Sequence, residues 1–249
     1  MTITAPNVSE VAAVKAAAGL RVSVCVPARN EAPPVAGVVS PLVTALDGPG
    51  PLLDEVIVVD DGSTDGTGAS ARALGARVLR STLGPGKGAA MAEAARVATG
   101  DIVVFVDADV RNFGIHFVSA LVEPLLGDPS VALVKGKYRR AWNDGAGGGR
   151  VTELLASPLI RRLVPELAFV RQPLAGEAAV SRHALDELVL EAGYGVEIGM
   201  LIDVARRFGP AAVAQVNLGE RVHRNRPLEE LAGQADEVLS AVLSRTATG

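Results

Sequence analysis

Four apolar runs in this chain end in polar clusters, and no other feature limits the possible folds so strongly. The run "IVVFV", Ile102 to Val106, contains no polar break, the pattern of a strand covered on both faces, and it leads directly into Asp107, Ala108 and Asp109. Runs near 21–27, 55–60, 77–80, 102–107 and 131–138 predict strands, and periodic patterns near 34–46, 66–74, 88–98 and 115–126 predict the helices between them. Strand alternating with helix predicts an α/β chain: a mostly parallel, Rossmann-like sheet with right-handed crossovers and flanking helices. Such a sheet takes its ligand at the carboxyl ends of its strands. The segments at those ends are "PARNE" (27–31), "DDGSTDGT" (60–67), "GPGKG" (84–88) and "DAD" (107–109), so four clusters far apart in sequence are expected on one rim.

The second half is less regular. "NDGAGGG" (143–149) is the best hinge or boundary candidate, followed by a helix entered at Val151. "AAVS" and "AAVAQVNL" suggest further short strands, and "RPLEELAGQADEVLSAVLSR" is an amphipathic helix with Pro227 at its start, able to pack on its own domain or on a second subunit. The expected division is an N-terminal extension (1–20), a nucleotide-sugar half (21–140), a smaller acceptor-binding part (141–226) and a C-terminal helix (227–249).

A length of 249 residues suits one large domain, or a domain with a modest appendage, and 49% apolar against 21% charged residues supplies a core. The net charge of −4 gives no reason to expect nucleic acid as a partner. Cys25 is the only cysteine, inside the apolar "VSVCV", so it excludes an internal disulfide framework and a cysteine zinc site and reads as a core residue. The first residues carry Glu10 and Lys15 without a signal-peptide pattern, and no run reaches membrane-spanning length. A soluble, cytoplasmic protein is the expectation, with no membrane partner.

Alternate residues of a strand share a face, so Asp107 and Asp109 would point the same way if strand geometry persisted. Two unpaired carboxylates at a semi-buried strand end are costly. A hard divalent cation such as Mg²⁺, which uses one or two carboxylates with substrate phosphates, resolves the conflict; solvated turn residues or a helix cap are an equal alternative for a bare D-x-D tripeptide. In "DDGSTDGT" the glycines bend the chain, and Ser63, Thr64 and Asp65 are best read as helix caps. Asp61, at the strand end, can accept a base N–H or a ribose hydroxyl. "GPGKG" lets a backbone approach a phosphate and sets Lys87 near a helix start.

With these clusters, the sequence resembles the nucleotide-diphospho-sugar glycosyltransferases of the GT-A fold. "GGGRVTELLASPL", "QPLAGE", "GYGVEIGMLID" and "AQVNLGERVHRNRPL" narrow the resemblance to the actinobacterial glucosyl-3-phosphoglycerate synthases, from about Val22 to Leu228. The resemblance implies retaining transfer of glucose from UDP-glucose to the 2-hydroxyl of 3-phosphoglycerate, with Mg²⁺ or Mn²⁺, by a homodimer. It implies that Pro27, Ala28, Glu31 and Asp61 hold uridine, with Arg29 among them where leucine is more familiar, and that Lys87 reaches the nucleotide. Asp107 would contact ribose or glucose, while Asp109 and His223 would bind the metal. Gly149, Arg150 and Thr152 would cradle phosphoglycerate with Asn225 and Arg221. Glu197 would stand near the transferred sugar, so Glu197, Asp107 and Lys87 are the catalytic candidates. A related transferase using GDP-mannose, and a nucleotide-sugar-binding protein without catalysis, are the alternatives. His116 and His183 match no motif.

Overall fold

The computed structural model describes residues 6–48, 50–140, 149–222 and 228–247. Seven strands form one sheet in the order β3-β2-β1-β4-β6-β5-β7. Strands β1 (Val22–Ala28), β2 (Glu55–Asp60), β3 (Arg77–Arg80) and β4 (Ile102–Phe105) are all parallel, as the strand–helix alternation predicts. Strand β6 (Ala178–Ser181) runs antiparallel between β4 and β5 (Leu133–Arg140), and β5 is parallel to β7 (Val213–Arg221). The fold is therefore the GT-A type expected: a mixed sheet, mostly parallel, with helices on both faces.

The uninterrupted apolar runs have their cause in two cores. Val24, Val26, Val56, Val58 and Val104 face one cluster, while Cys25, Ile57, Val59, Val103 and Phe105 face the other, so both strand faces are buried. Burial raises the Cys25 thiol pKa far above its usual value, which suits its reading as an inert core residue. On the first face lie α2 (Ala32–Thr44), α3 (Thr67–Ala73) and α5 (His116–Gly127); on the second lie α4 (Lys87–Val97), α6 (Ser157–Leu163), the short α7 (Arg182–Asp186) and α8 (Val196–Phe208).

The structure departs from expectation in two places. Residues expected as an extension form α1 (Val8–Ala18), capped by the Asn7 side chain and by left-handed Gly19, with Val11 and Ala12 in the core and Lys15 paired with Asp54 at 2.6 Å. Strand β4 ends at Phe105; Val106 N–H still bonds Cys25 O, but Asp107 lies beyond the strand and Ala108 and Asp109 form a turn. The two halves expected on either side of residue 140 share one sheet, because β5 lies between β6 and β7. Helix α9 (Leu228–Thr246) packs on its own chain: Val238, Ala241 and Val242 are buried, and Arg245 bridges Asp203 (2.7 Å) and Glu191. Pro227, expected at its start, lies outside the described residues. Among the described residues, no helix is long and apolar enough to cross a membrane.

Candidate active site

The first two strand ends are stitched together through their loops. Asn30, held at φ 55°, accepts from Thr64 N–H at 2.9 Å, and its own N–H donates to Ser63 Oγ at 3.0 Å. Glu31 N–H donates to Thr67 Oγ1 (2.8 Å), and Asp65 accepts from Ala32 N–H (3.0 Å) and from Thr67 N–H (3.0 Å). Asp65 thus satisfies the first amide of each of two helices, Ala32 of α2 and Thr67 of α3, the work that a capping sequence implies, whereas Ser63 and Thr64 bond Asn30 and tie the two loops together instead. Pro27 and Ala28 close β1, and Arg29 follows. Asp61 is buried, and one of its oxygens accepts from Gly86 N–H (3.0 Å) and from Arg29 Nη1 (3.3 Å), fixing the glycine loop to the second strand end.

That loop delivers Lys87 to the first turn of α4, and Gly86 and Gly88 let it sit hard against the 191–192 backbone, where a Cβ would collide. The Lys87 ammonium is 2.6 Å from Asp107 and 2.5 Å from Glu197. Burial opposes its charge, but these two carboxylates outweigh burial and hold its pKa well above the usual value.

Asp107 and Asp109 do not share a side through strand pleating, since the strand has ended. Arg221 gathers them instead: its Nη2 lies 2.6 Å from Asp107 Oδ2 and 3.2 Å from Asp109 Oδ1. Burial alone would raise the Asp107 pKa, yet Lys87 and Arg221 hold it well below the ordinary carboxylate range. The two aspartates are therefore unequal. Asp107 sits between two cations, whereas Asp109 also lines a cavity of about 400 Å³ with Asn30, Glu31, Pro33, Pro34 and Arg111.

Arg221, expected among the acceptor contacts, is only 3% exposed, and its Nε lies 3.0 Å from Glu177. Its guanidinium also rests over the Tyr138 ring, 5.2 Å from the centroid. Burial pushes the Glu177 carboxyl up, with Arg221 pulling it back. Gly176 has a steric reason to be glycine, because any Cβ there would run into the Asp107 carboxylate.

The site thus joins Lys87, Asp107, Asp109, Glu197 and Arg221 in one ionic cluster, with Asp61 and Arg29 tied to the loop that carries Lys87. Gly149 and Arg150 open the helical segment that continues through a π-helical turn, Thr152–Ala156, into α6, and Thr152 is buried. His223 and Asn225 lie outside the described residues. Sequence reasoning missed Glu177 and Lys135, both fully buried beside this cluster. The signal for Lys135 was parity: it shares a strand face with core Leu133, so a lysine there must point inward.

The family model "Glycosyl transferase family 2" matches residues 23–168. Glucosyl-3-phosphoglycerate synthase of Mycobacterium tuberculosis (strain H37Rv) is 46% identical over 254 residues, covering 96% of this chain and 77% of that protein. The structure of the Mycobacterium tuberculosis enzyme in complex with Mn²⁺, uridine-diphosphate-glucose and phosphoglyceric acid matches at TM-score 0.90 and 45% identity, over 99% of this chain and 86% of that one. The same enzyme in complex with Mg²⁺ and uridine-diphosphate matches at TM-score 0.90 and 45% identity, over 99% and 85%.

Proposed function

Because the chain belongs to glycosyl transferase family 2, and within it to the glucosyl-3-phosphoglycerate synthases, we infer that it moves glucose from UDP-glucose to 3-phosphoglycerate. It is a metal-dependent glycosyltransferase working with Mn²⁺ or Mg²⁺. The observation that carries this reading is the pair of unequal carboxylates at the strand rim: Asp109 on the cavity wall, and Asp107 locked between Lys87 and Arg221.

The donor set fits a hard cation. Asp109 offers an oxygen ligand at the cavity, and His223 would add an imidazole nitrogen. When bound, the metal supplies positive charge that stabilises the departing diphosphate. The protein's own groups do the rest. Pro27, Ala28, Arg29, Glu31 and Asp61 bound the uridine site from loops already cross-linked, so little order is lost when the nucleotide binds. Lys87 adds fixed positive charge beside Asp107, where the leaving group develops negative charge. Gly149, Arg150, Thr152 and Asn225 would hold the phosphate and carboxylate of the acceptor; a helix start with an arginine suits an anion. The work would then divide between a nucleotide-sugar half (21–140) and an acceptor part (141–226), in a cytoplasmic homodimer.

Retention at the anomeric carbon, with attack by the 2-hydroxyl, is the stereochemistry we assign. Glu197 is 4% exposed and held by Lys87 at 2.5 Å, an ion pair that lowers its nucleophilicity and favours a positioning role. The acceptor hydroxyl would attack from the face that UDP leaves, and a trapped glucosyl–Glu197 adduct would overturn this route.

The test is UDP release with UDP-glucose, Mn²⁺ and 3-phosphoglycerate. Release that needs all three is expected. GDP release from GDP-mannose, with no UDP release from UDP-glucose, would point to the mannosyl enzyme, and no nucleoside diphosphate released from any sugar nucleotide to a binding protein.

A further inference from the structure

Lys135 is the one fully buried lysine in the core, at 0% exposure, and the reaction described above does not use it. It lies on β5 with Ala178 of β6 and Gln215 of β7 as its strand partners. A buried ammonium costs several kcal/mol relative to water, roughly, unless it is compensated, and leucine or methionine would fill the same space without that cost. Its compensation is informative. Lys135 Nζ donates to Ala175 O at 2.6 Å, in the middle of the turn that carries Gly176 and Glu177.

The ends of that turn are tied to the same strand. Gln172 Nε2 donates to Tyr138 O (3.3 Å), Gly136 N–H donates to Glu177 O (2.9 Å), and Ala175 N–H closes back on Gln172 O (3.0 Å). The turn in turn touches the chemistry: Gly176 lies flat against the Asp107 carboxylate, and Glu177 meets Arg221, which holds both Asp107 and Asp109. The charged groups that act on the ammonium are Glu197 from α8, Lys87 from α4, Glu177 before β6 and Asp107 after β4, while its strand partners Ala178 and Gln215 are uncharged.

We propose that Lys135 is a positioning residue for glucosyl transfer, its ammonium holding the 172–177 turn so that Gly176 and Glu177 keep Asp107 and Arg221 in place for the nucleotide-sugar. The proposal rests on the transfer activity inferred above. Burial pulls the Lys135 pKa down from the usual lysine value to about 8, with Glu197, Glu177 and Asp107 resisting and Lys87 assisting. The ammonium is thus present at neutral pH and is lost in mildly alkaline solution, which gives the role a signature that packing alone lacks. Because the folded-state value is depressed, the unfolded chain holds more protons between about 8 and the usual lysine value. Folding stability should therefore not fall through that window on account of Lys135, and a loss of turnover there is not a loss of fold.

The experiment measures kcat from about pH 6 to about pH 10 for the wild type, Lys135→Met and Lys135→Arg, together with thermal unfolding and UDP–Mn²⁺ affinity. The wild type should lose kcat with an apparent pKa of about 8. Lys135→Met should unfold cooperatively, bind UDP–Mn²⁺ within about 3-fold of wild type, and show kcat lowered about 10- to 100-fold with that alkaline limb gone. Lys135→Arg, whose charge persists, should keep activity at neutral pH and move the limb upward. A methionine variant with wild-type kcat, or with lower kcat and the limb unmoved, overturns the proposal. If the methionine variant does not fold, the arginine variant decides: an unmoved limb, or activity lost at every pH, overturns it. Absence of wild-type turnover with UDP-glucose and 3-phosphoglycerate would sink the function and this role together, whereas normal wild-type turnover with unaltered variants would sink this role alone.

Discussion

Strands β1 to β4 and strands β5 to β7 meet in one sheet, yet the two halves furnish the site by different means. In the first half the loops after β1 and β2 are joined largely by bonds from backbone amides to neutral or exposed side chains: Asn30 with Ser63 and Thr64, Glu31 with Thr67, Ala32 with Asp65. In the second half the contribution is buried charge: Glu177 at 0% exposure, Arg221 at 3% and Glu197 at 4%. The difference follows from what each half must do. A nucleotide needs a shaped rim with donors and acceptors ready, and many modest hydrogen bonds of about 1 kcal/mol each can provide one. Reaction at a diphosphate needs fixed charges in a water-poor place, where they act strongly but fail badly when one partner is lost. Changes in the first half should therefore alter affinity by small steps, while changes in the second half and at the junction should strike turnover and folding together.

The largest effects should come at the junction itself. Asp109→Ala removes the carboxylate on the cavity wall and should weaken UDP–Mn²⁺ binding by more than about 100-fold, measured by titration calorimetry. Asp107→Ala should keep more of that binding but lower kcat about 1,000-fold, and cost roughly 3 kcal/mol in denaturant unfolding, because Lys87 and Arg221 each lose a partner at 2.6 Å. Equal binding by both variants would erase the inequality between the two aspartates.

One step smaller is Gly176→Ala. The new methyl would meet the Asp107 carboxylate, so the turn or the carboxylate must shift. We expect kcat down by about 100-fold with UDP–Mn²⁺ affinity changed little, since displacement of a reacting group by about an ångström is enough for that loss. Glu177→Gln should cost about 2 kcal/mol of stability and about 10-fold in kcat. Arg221 retains Asp107 and Asp109, which limits the damage. An unchanged unfolding midpoint for Glu177→Gln would mean that the second half does not depend on its buried charges.

How far these roles were legible follows the same division. The first half announces itself: apolar strands followed by "PARNE", "DDGSTDGT", "GPGKG" and "DAD" place four clusters on one rim, because parallel strands put their carboxyl ends together. Lys87 and Asp107 could be expected near each other on that ground alone, and they are ion-paired. The second half could not be read so directly. Strand β6 enters antiparallel between β4 and β5, so its place depends on tertiary pairing across long sequence gaps. Glu177 sits in "QPLAGE", a run with no chemical motif, and its partner Arg221 is 44 positions later by number. Helix α8 was equally hidden: Gly193 and Gly195 precede it, and its Glu197 gave a candidate residue without giving the element. Helix α1, read from sequence as an extension, is tied to the core by buried Val11 and Ala12 and by the pairing of Lys15 with Asp54, contacts that depend on distant residues.

The smallest expected effect is at Arg29, and it tests the other side of the comparison. Its side chain is 57% exposed and its Nη1 lies 3.3 Å from Asp61 Oδ2. An exposed pair of this kind contributes about 0–1 kcal/mol and is screened by salt. The same Asp61 oxygen still accepts Gly86 N–H at 3.0 Å when Arg29 is gone, so the loop that carries Lys87 keeps its anchor. Arg29→Leu should therefore leave the unfolding midpoint nearly unchanged and raise KM for UDP-glucose by less than about 3-fold, with the difference fading at about 1 M salt. Asp61→Asn, which weakens both bonds at once, should raise KM further and retain that increase in salt. A tenfold or larger rise for Arg29→Leu would show that the first half also depends on charge, and the contrast between the halves would then fall.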